Sequence, residues 1–369
     1  MSHPIPLIDV HAQNAPLKKE VMAAIERLID SSSFVLGQEV KSLEDEFKAY
    51  TGVNFPVSCA SGTDALLLPL MALGIGPGDE VLVPSFTFYA TAGSVARVGA
   101  TPVFVDSDET YNICLRDLEK KITPKTKAII PVHLFGQMVD MEKLLKIAGS
   151  IPVIEDCAQS IGAAFKGKQA GTWGEYGAFS FYPTKNLGAM GDAGMMSAKH
   201  AAGNELLNMI RVHGSKQRYY HELIGVNSRL DSIQAAILRI KLRHLPAYEE
   251  KRAALAHTYQ QAFAAKNLAE EVRLPVVGGD RKHVWNQFTI RARKRDELKA
   301  ALGEQKIGSE IYYPLPMHKQ KAFAASGSGV TLPLCDSLEK EVLSLPMYPE
   351  MPKENVARVV DAVAKFYGK

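Results

Sequence analysis

Four short apolar runs between residues 80 and 157 decide the fold: EVLVP (80–84), TPVFVD (101–106), AIIPVH (128–133) and IPVIEDC (151–157). Each is rich in β-branched residues and too short for a buried helix, so each reads as a strand. Helical stretches separate them. Strands that are apolar on both faces and alternate with helices specify a mostly parallel sheet covered on both sides, an α/β architecture. GAFSFY (177–182) and AGMMSA (193–198) continue the pattern.

Around these strands, helical spacing predicts a helix over Leu17–Asp30, carried by Val21, Ile25 and Leu28. SGTDALLLPLMALG (61–74) reads as a turn and a helix that Pro69 should kink or shorten. AAGNELLNMIRVHG (201–214) is helical, and one long helix is expected from about Asp231 to Phe263. Beyond it VWNQFTIRAR (284–293) reads as a strand, DELKAALGEQ (296–305) as a helix and ENVARVVDAVAKFY (354–367) as an amphipathic helix. This change of texture predicts a large domain over 1–245 and a smaller α+β domain over 246–369.

Charge and composition narrow the function classes. Lys and Arg total 43 against 40 Asp and Glu, giving a net charge of +3 with no basic cluster, so nucleic acid is not the expected partner. No apolar run reaches membrane-spanning length, and the first residues lack the charged and apolar regions of a secretory leader. Cys59, Cys114, Cys157 and Cys335 lie far apart without CxxC spacing. Disulfides and zinc are therefore not expected, no metal site is predicted, and a reducing cytoplasm fits.

The chemistry is concentrated at the expected strand ends, where open α/β sheets bind ligands. FSFYPTKNLGAMGDAG (179–194) places Lys185 between apolar residues and a flexible, glycine-rich segment. Such a lysine either snorkels to water or is desolvated into a nucleophilic amine able to form a Schiff base. Glu155-Asp156 ends the run IPVIED, where an acid serves as a helix cap or as a functional carboxylate. Ser61, Gly62 and Thr63 precede a helix and offer either an ordinary cap or a phosphate cradle of free N–H groups. Phe86, Phe88 and Tyr89 follow another strand end, as core or as a stacking platform. An amine, a carboxylate, an anion cradle and a flat apolar surface together match pyridoxal 5'-phosphate, which has an aldehyde, a basic ring nitrogen and a phosphate.

The motifs SGTDAL (61–66), GIGPGDEVLVPSFTFYATA (74–92), PVFVD (102–106), VIEDCAQSIGA (153–163), FSFYPTKNLG (179–188) and GVNSRLDSIQAAIL (225–238) resemble the DegT/DnrJ/StrS sugar aminotransferases. The resemblance runs from PLIDV (6–10) to the C-terminal helix. It implies a pyridoxal phosphate enzyme of fold type I, similar to aspartate aminotransferase, with a seven-stranded-type sheet and a smaller C-terminal domain. By it, Lys185 carries the Schiff base and shuttles the proton, Asp156 pairs with the ring nitrogen, Gln159 approaches the ring hydroxyl and Phe88 stacks on the ring. Gly62, Thr63 and Ser180 hold the phosphate, and Asn227 reaches it from the neighbouring subunit of a homodimer with shared active sites. L-Glutamate is the implied amino donor and a nucleotide-linked ketosugar the acceptor.

Within the family, RVHGSKQRYYHELIGVNSRLDSIQAAIL (211–238) most resembles enzymes that aminate C3 of a UDP-linked 2-acetamido-3-keto uronic acid for bacterial surface polysaccharide. Arg229 is then the partner for a sugar carboxylate, or a structural salt bridge at the subunit interface, and Tyr313 and His318 are the further substrate contacts. The uronate enzymes carry a His-Tyr pair where IYYPLPMHKQ (311–320) has Tyr312-Tyr313. That departure leaves open another UDP-linked 3-keto N-acetylamino sugar, or a dTDP- or other nucleotide-linked 3- or 4-ketosugar. Two rival readings are a sugar dehydratase, in which histidine replaces the lysine, and a non-catalytic DegT-like regulator. Lys185 and the intact cofactor set oppose both.

Overall fold

The alternation of apolar side chains on the strands builds two cores, one on each face of a central sheet. In the computed structural model, which describes residues 3–369, the strands are β1 (Phe55–Cys59), β2 (Glu80–Pro84), β3 (Thr101–Val105), β4 (Thr126–Ile129), β5 (Ile154–Asp156), β6 (Tyr176–Ser180) and β7 (Gly194–Ala198). A four-stranded unit runs β1-β7-β6-β5 and a three-stranded unit runs β3-β2-β4. Parallel bridges Ile129–Val153 and Val132–Asp156 join them into one seven-stranded surface of order β3-β2-β4-β5-β6-β7-β1. β7 is antiparallel to both its neighbours, and the other pairings are parallel.

Period-two alternation sorts the side chains. Val81, Val83, Phe104, Ile130, Ile154 and Met196 enter one core, with helices α3 (Gly62–Ala72), α4 (Tyr89–Arg97) and α7 (Ala201–Ile210) over it. Leu82, Val105, Ile129, Val153, Phe179 and Met195 enter the other. That face is covered by α2 (Gln38–Thr51), α5 (Leu115–Lys121), α6 (Met141–Ala148) and α8 (Ser232–Leu242). α1 (Lys18–Ser31) packs on α8 through Val21, Ala24 and Leu28.

A second, antiparallel sheet of β8 (Val272–Arg273), β9 (Phe288–Ala292) and β10 (Val342–Leu345) packs with α9 (Leu245–Ala265), α10 (Arg295–Glu304) and α11 (Lys353–Phe366). Its core also takes in Ile5, which bridges in parallel to Ile307. The start of the chain is thus stitched into the C-terminal layer.

The helix expected from Asp231 to Phe263 is instead α8 and α9, separated at Arg243-His244. Pro246 explains the break: it has no N–H for the carbonyl of Leu242, and its ring would strike that carbonyl in a continuous helix. At the second position of α9 it is tolerated. Pro69 has a milder effect, since α3 runs through it and ends three residues later at Ala72. β1, β10 and α2 were not predicted.

One buried acid ties the sheet to its flanking loops. Glu155, fully buried, accepts N–H groups of Trp173 and Gly174 at 2.8 Å on Oε1. On Oε2 it accepts Gly171 N–H at 3.0 Å and His133 Nε2 at 2.9 Å. His133 Nδ1 meanwhile accepts the N–H of Val139, which places the imidazole proton on Nε2. Although His133, Glu155 and Cys157 cluster closely, the carboxylate is saturated with donors and has no lone pair left for a metal. Glu155→Gln keeps the volume but turns an amide N–H₂ toward backbone donors. It should destabilise the protein by about 3 kcal/mol or more, seen as a lower thermal unfolding midpoint. An unchanged midpoint would show that the four bonds do not anchor this corner.

Candidate active site

The carboxyl ends of β1, β2, β5 and β6 open onto one cavity of about 690 Å³. It is lined by Gly62, Thr63, Phe88, Asp156, Gln159, Ser180, Lys185 and Tyr313 among the residues expected from sequence. Ile8, Thr87, Tyr182, Asp192, Gln287 and Tyr312 complete much of the remaining wall.

The loop after β6 shows why a lysine there needs glycines. Lys185 N–H bonds Tyr182 O at 2.9 Å, and Ala189 N–H bonds Phe181 O at 2.8 Å, so the chain folds back on its own strand. A Cβ at Gly188 would lie 2.4 Å from Pro183 O, and one at Gly194 would lie 2.3 Å from Ser61 O. Asn186 locks the turn from below, donating to Val284 O at 3.1 Å and accepting from Asn286 at 2.9 Å. Lys185 is therefore held inside the cavity rather than snorkelling away from it. No hydrogen bond or ion pair holds its Nζ among the described residues. Burial pushes its ammonium down to about 8, against the opposing pull of Asp156.

Asp156 ends β5 and is 4 % exposed. Burial pushes its carboxyl up, while a hydrogen bond from Thr91, the Ala158 N–H, and the charges of Lys185 and His133 pull it down. Gln159 is fixed at both ends, accepting Phe135 N–H at 2.7 Å and donating to Tyr313 Oη at 3.3 Å. Burial and the nearby Asp156 charge hold the Tyr313 phenol well above its ordinary value, so it stays a neutral donor. Phe88, 58 % exposed, presents an open ring beside Tyr313, with centroids 6.3 Å apart.

Opposite, Ser61 caps α3 by accepting the N–H of Asp64 at 3.1 Å. The earlier N–H groups, on Gly62 and Thr63, have no intrahelical partner and sit at the positive end of the helix dipole. A Cβ at Gly62 would fall 2.5 Å from Ser180 Cβ, so only glycine lets the two meet. This junction is a compact anion cradle.

Asn227 and Arg229 do not line the cavity of this chain. Between them, Ser228 binds the edge of the cradle, donating to Asp64 Oδ2 at 2.7 Å and accepting Ala60 N–H at 3.1 Å. Asn227 is exposed and Arg229 half-buried. His318 is also outside the wall, at 4 % exposure. Its turn is drawn inward by Met317 N–H to Ser85 O at 2.8 Å. The ring itself lies 2.7 Å from Ser85 Oγ through Nδ1. Of the expected substrate contacts, His318 is thus placed behind the cavity lining rather than in it. Conversely, sequence reasoning overlooked Thr91, Asp192 and Gln287. For Thr91 a signal existed, since it lies one helical turn after Phe88 in a segment that follows a strand end.

Residues 16–364 match the DegT/DnrJ/EryC1/StrS aminotransferase family. The "pleiotropic regulatory protein" of Geobacillus stearothermophilus is 48% identical over 98% of this chain and 98% of its own. The UDP-N-acetyl-3-dehydro-alpha-D-glucosamine 3-aminotransferase of Acidithiobacillus ferrooxidans is 46% identical over 98% of this chain and 97% of its own. Among solved structures, S. venezuelae DesV in complex with a ketimine intermediate superposes with a TM-score of 0.96 at 41% identity, covering 100% of both chains. NtdA from Bacillus subtilis with bound cofactor PMP gives 0.92 at 28% identity, covering 99% of this chain and 86% of its own. With a family match over nearly its whole length and close relatives over 98% of its residues, the chain belongs to the DegT/DnrJ/EryC1/StrS aminotransferase family.

Proposed function

We propose that this protein is a pyridoxal phosphate-dependent aminotransferase that moves an amino group from L-glutamate to a keto nucleotide sugar. The acceptor we favour is a UDP-linked 3-keto N-acetylamino sugar or its uronic acid, used for bacterial surface polysaccharide or a related glycan. One observation carries the reading. A free amine at Lys185 and a buried carboxylate at Asp156 face one cavity, and no ion pair engages either among the described residues.

The residues fit the cofactor. The Gly62–Ser180 junction closes so tightly that a Cβ is excluded, while N–H groups of Gly62 and Thr63 remain free for a phosphate. The lone pairs of Asp156 that its protein neighbours do not use suit a protonated ring nitrogen, Gln159 suits the ring hydroxyl, and the open face of Phe88 suits the ring. When bound, pyridoxal phosphate supplies an electron sink for the pair left when a carbon loses its proton. The chain does the rest. Lys185 would hold the cofactor, and its amine, when freed, would take up the proton from the donor's Cα. In the second half the same Nζ would deliver a proton to the sugar carbon.

We place Asn227 and Arg229 at the site of a neighbouring copy in a homodimer. Both lie outside their own cavity, and the adjoining segment exposes Tyr219, Tyr220, Leu223 and Ile224, an apolar surface suited to a partner. Arg229 then grips a uronate carboxylate or pairs across the interface; His318, locked onto Ser85, is left out of the substrate set. We keep the division at residue 245 into a cofactor-binding domain and a smaller one, with Ile5 crossing to the latter. Among the described residues no helix is long and apolar enough to cross a membrane. We assign the protein to the cytoplasm, where nucleotide sugars are made. The name of the Geobacillus relative keeps a regulatory reading alive. A cofactor absorbance that changes on adding glutamate, followed by amine transfer to one member of a panel of keto nucleotide sugars, separates the two. A cofactor that never responds to any amino donor overturns the enzymatic reading.

Lys185→Ala should fold and retain cofactor through the phosphate and ring contacts, yet lose borohydride trapping and nearly all turnover. In the cofactor-free protein, acylation of Lys185 should rise with pH through about 8 and level off above it, because only the neutral amine reacts. A midpoint near the ordinary lysine value would show that the amine is not desolvated.

Asp156→Asn preserves shape but removes the charge that holds the ring-nitrogen proton. It should lower kcat by at least about a hundred-fold, the scale of a lost charged group aimed at a transition state, with a much smaller change in cofactor affinity. Activity within a few-fold of wild type would assign the ring nitrogen to another group.

Mixing tests the shared site. Lys185→Ala and Asn227→Asp homodimers should each be poor, the latter because a carboxylate repels the phosphate. A hybrid holds one site with both residues intact, so subunit exchange, shown independently by mass labelling, should restore activity at up to half of its sites. Exchange without recovery would place Asn227 in the site of its own chain.

A further inference from the structure

The protein side of Asp156 is built with more care than a simple counter-charge requires. Thr91 Oγ1 donates to Oδ2 at 2.8 Å, and Ala158 N–H donates to Oδ1 at 3.1 Å. Thr91 is fully buried on α4, one turn beyond Phe88. A helical threonine ordinarily returns its hydroxyl proton to a carbonyl of its own helix. Here the proton goes across to β5 instead. The Thr91 oxygen in turn lies 3.3 Å from Thr87 Oγ1. Since the Thr91 proton is spent on the carboxylate, Thr87 is the donor in that contact. The result is a directed chain, Thr87 to Thr91 to Asp156, in which each bond polarises the next.

We propose that Thr91, backed by Thr87, is a positioning residue for the transamination. It holds the Asp156 carboxylate ionised and turned so that its remaining lone pairs meet the cation of the cofactor ring. The inference rests on the cofactor reading above and extends it to two hydroxyls that never touch the ring nitrogen themselves. Around Asp156 the other titratable groups are Lys185 and Tyr313 at the cavity, and His133, Glu155 and Cys157 on the sheet side. None of these donates a hydrogen bond to the carboxylate; among the described residues the side chain that does is Thr91.

The sign of the effect follows from the environment. Burial already pushes the Asp156 carboxyl up, and the Thr91 bond opposes it. Without that bond the carboxyl rises further, so at a given pH a smaller fraction is ionised, and the acid limb of the rate profile moves to higher pH.

The test uses the holoenzyme with glutamate and an accepted ketosugar. Thr91→Val is close in shape but lacks the hydroxyl; Thr91→Ser keeps the hydroxyl and loses a methyl. Thr91→Val should lower kcat about ten-fold or more, the scale of a hydrogen bond to a charged group. Its acid limb should shift upward, the ketosugar KM should change little, and pyridoxal phosphate should bind the cofactor-free protein several-fold more weakly. Thr91→Ser should restore the limb. Thr87→Val, which removes only the outer link, should shift it in the same direction by less, and carries the test if Thr91→Val does not fold. Wild-type limbs in Thr91→Val and Thr87→Val, or equal losses in Thr91→Val and Thr91→Ser with no limb shift, overturn the inference and leave a packing role. If wild-type protein takes up no pyridoxal phosphate, the functional reading fails with it.

Discussion

Two carboxylates stand side by side at the end of β5, and the pleat of the strand sends them in opposite directions. Glu155 turns to the core that holds Val153 and Cys157, and Asp156 turns to the face of Ile154 and the cavity. Each is costly to bury, and each is treated differently. Glu155 is surrounded by four donors and left with nothing to offer. Asp156 receives two, which is enough to hold it but not to satisfy it. The site depends on that inequality. A register slip of one residue would exchange the two acids and place a saturated anchor where an open carboxylate is needed.

Much of this organisation was legible because it is periodic. Apolar runs buried on both faces announced the parallel strands, and the residues at their ends announced the cavity. Local chemistry that competes with periodicity was harder to read. Pro246 ended a helix that the apolar spacing alone carried onward to Phe263. FPVSC begins with a proline-bearing, polar-flanked run, so β1 did not stand out; yet it closes the sheet edge beside the antiparallel β7. Thr91 was missed for a different reason. A threonine one turn after an aromatic is a faint signal, and its partner is set only when the fold brings β5 against α4.

The cavity residues divide in a similar way. Gly62, Ser180 and Lys185 come from segments whose glycines are explained by close approach: Gly62 by Ser180, Gly188 by Pro183, Gly194 by Ser61. Those constraints are steric and leave marks in the sequence. Asn227 and Arg229 leave a weaker mark, because what they face lies beyond their own chain's cavity. His318 is a different case: the hydroxyl of Ser85, just past β2, holds its ring outside the cavity lining.

The strip from Ile5 to Ile8 has an effect on how the protein is made. Ile5 N–H bonds Lys306 O at 2.9 Å, Gly308 N–H returns a bond to Ile5 O at 2.8 Å, and Met347 N–H reaches Leu7 O at 3.1 Å. Ile8, next in line, forms part of the cavity wall. The partners of this strip lie far along the chain, around Lys306 and Met347. The large sheet can assemble on the nascent chain while the strip waits unpaired. The part of the cavity wall at Ile8 is then set only after the segment through Met347 is available to pair.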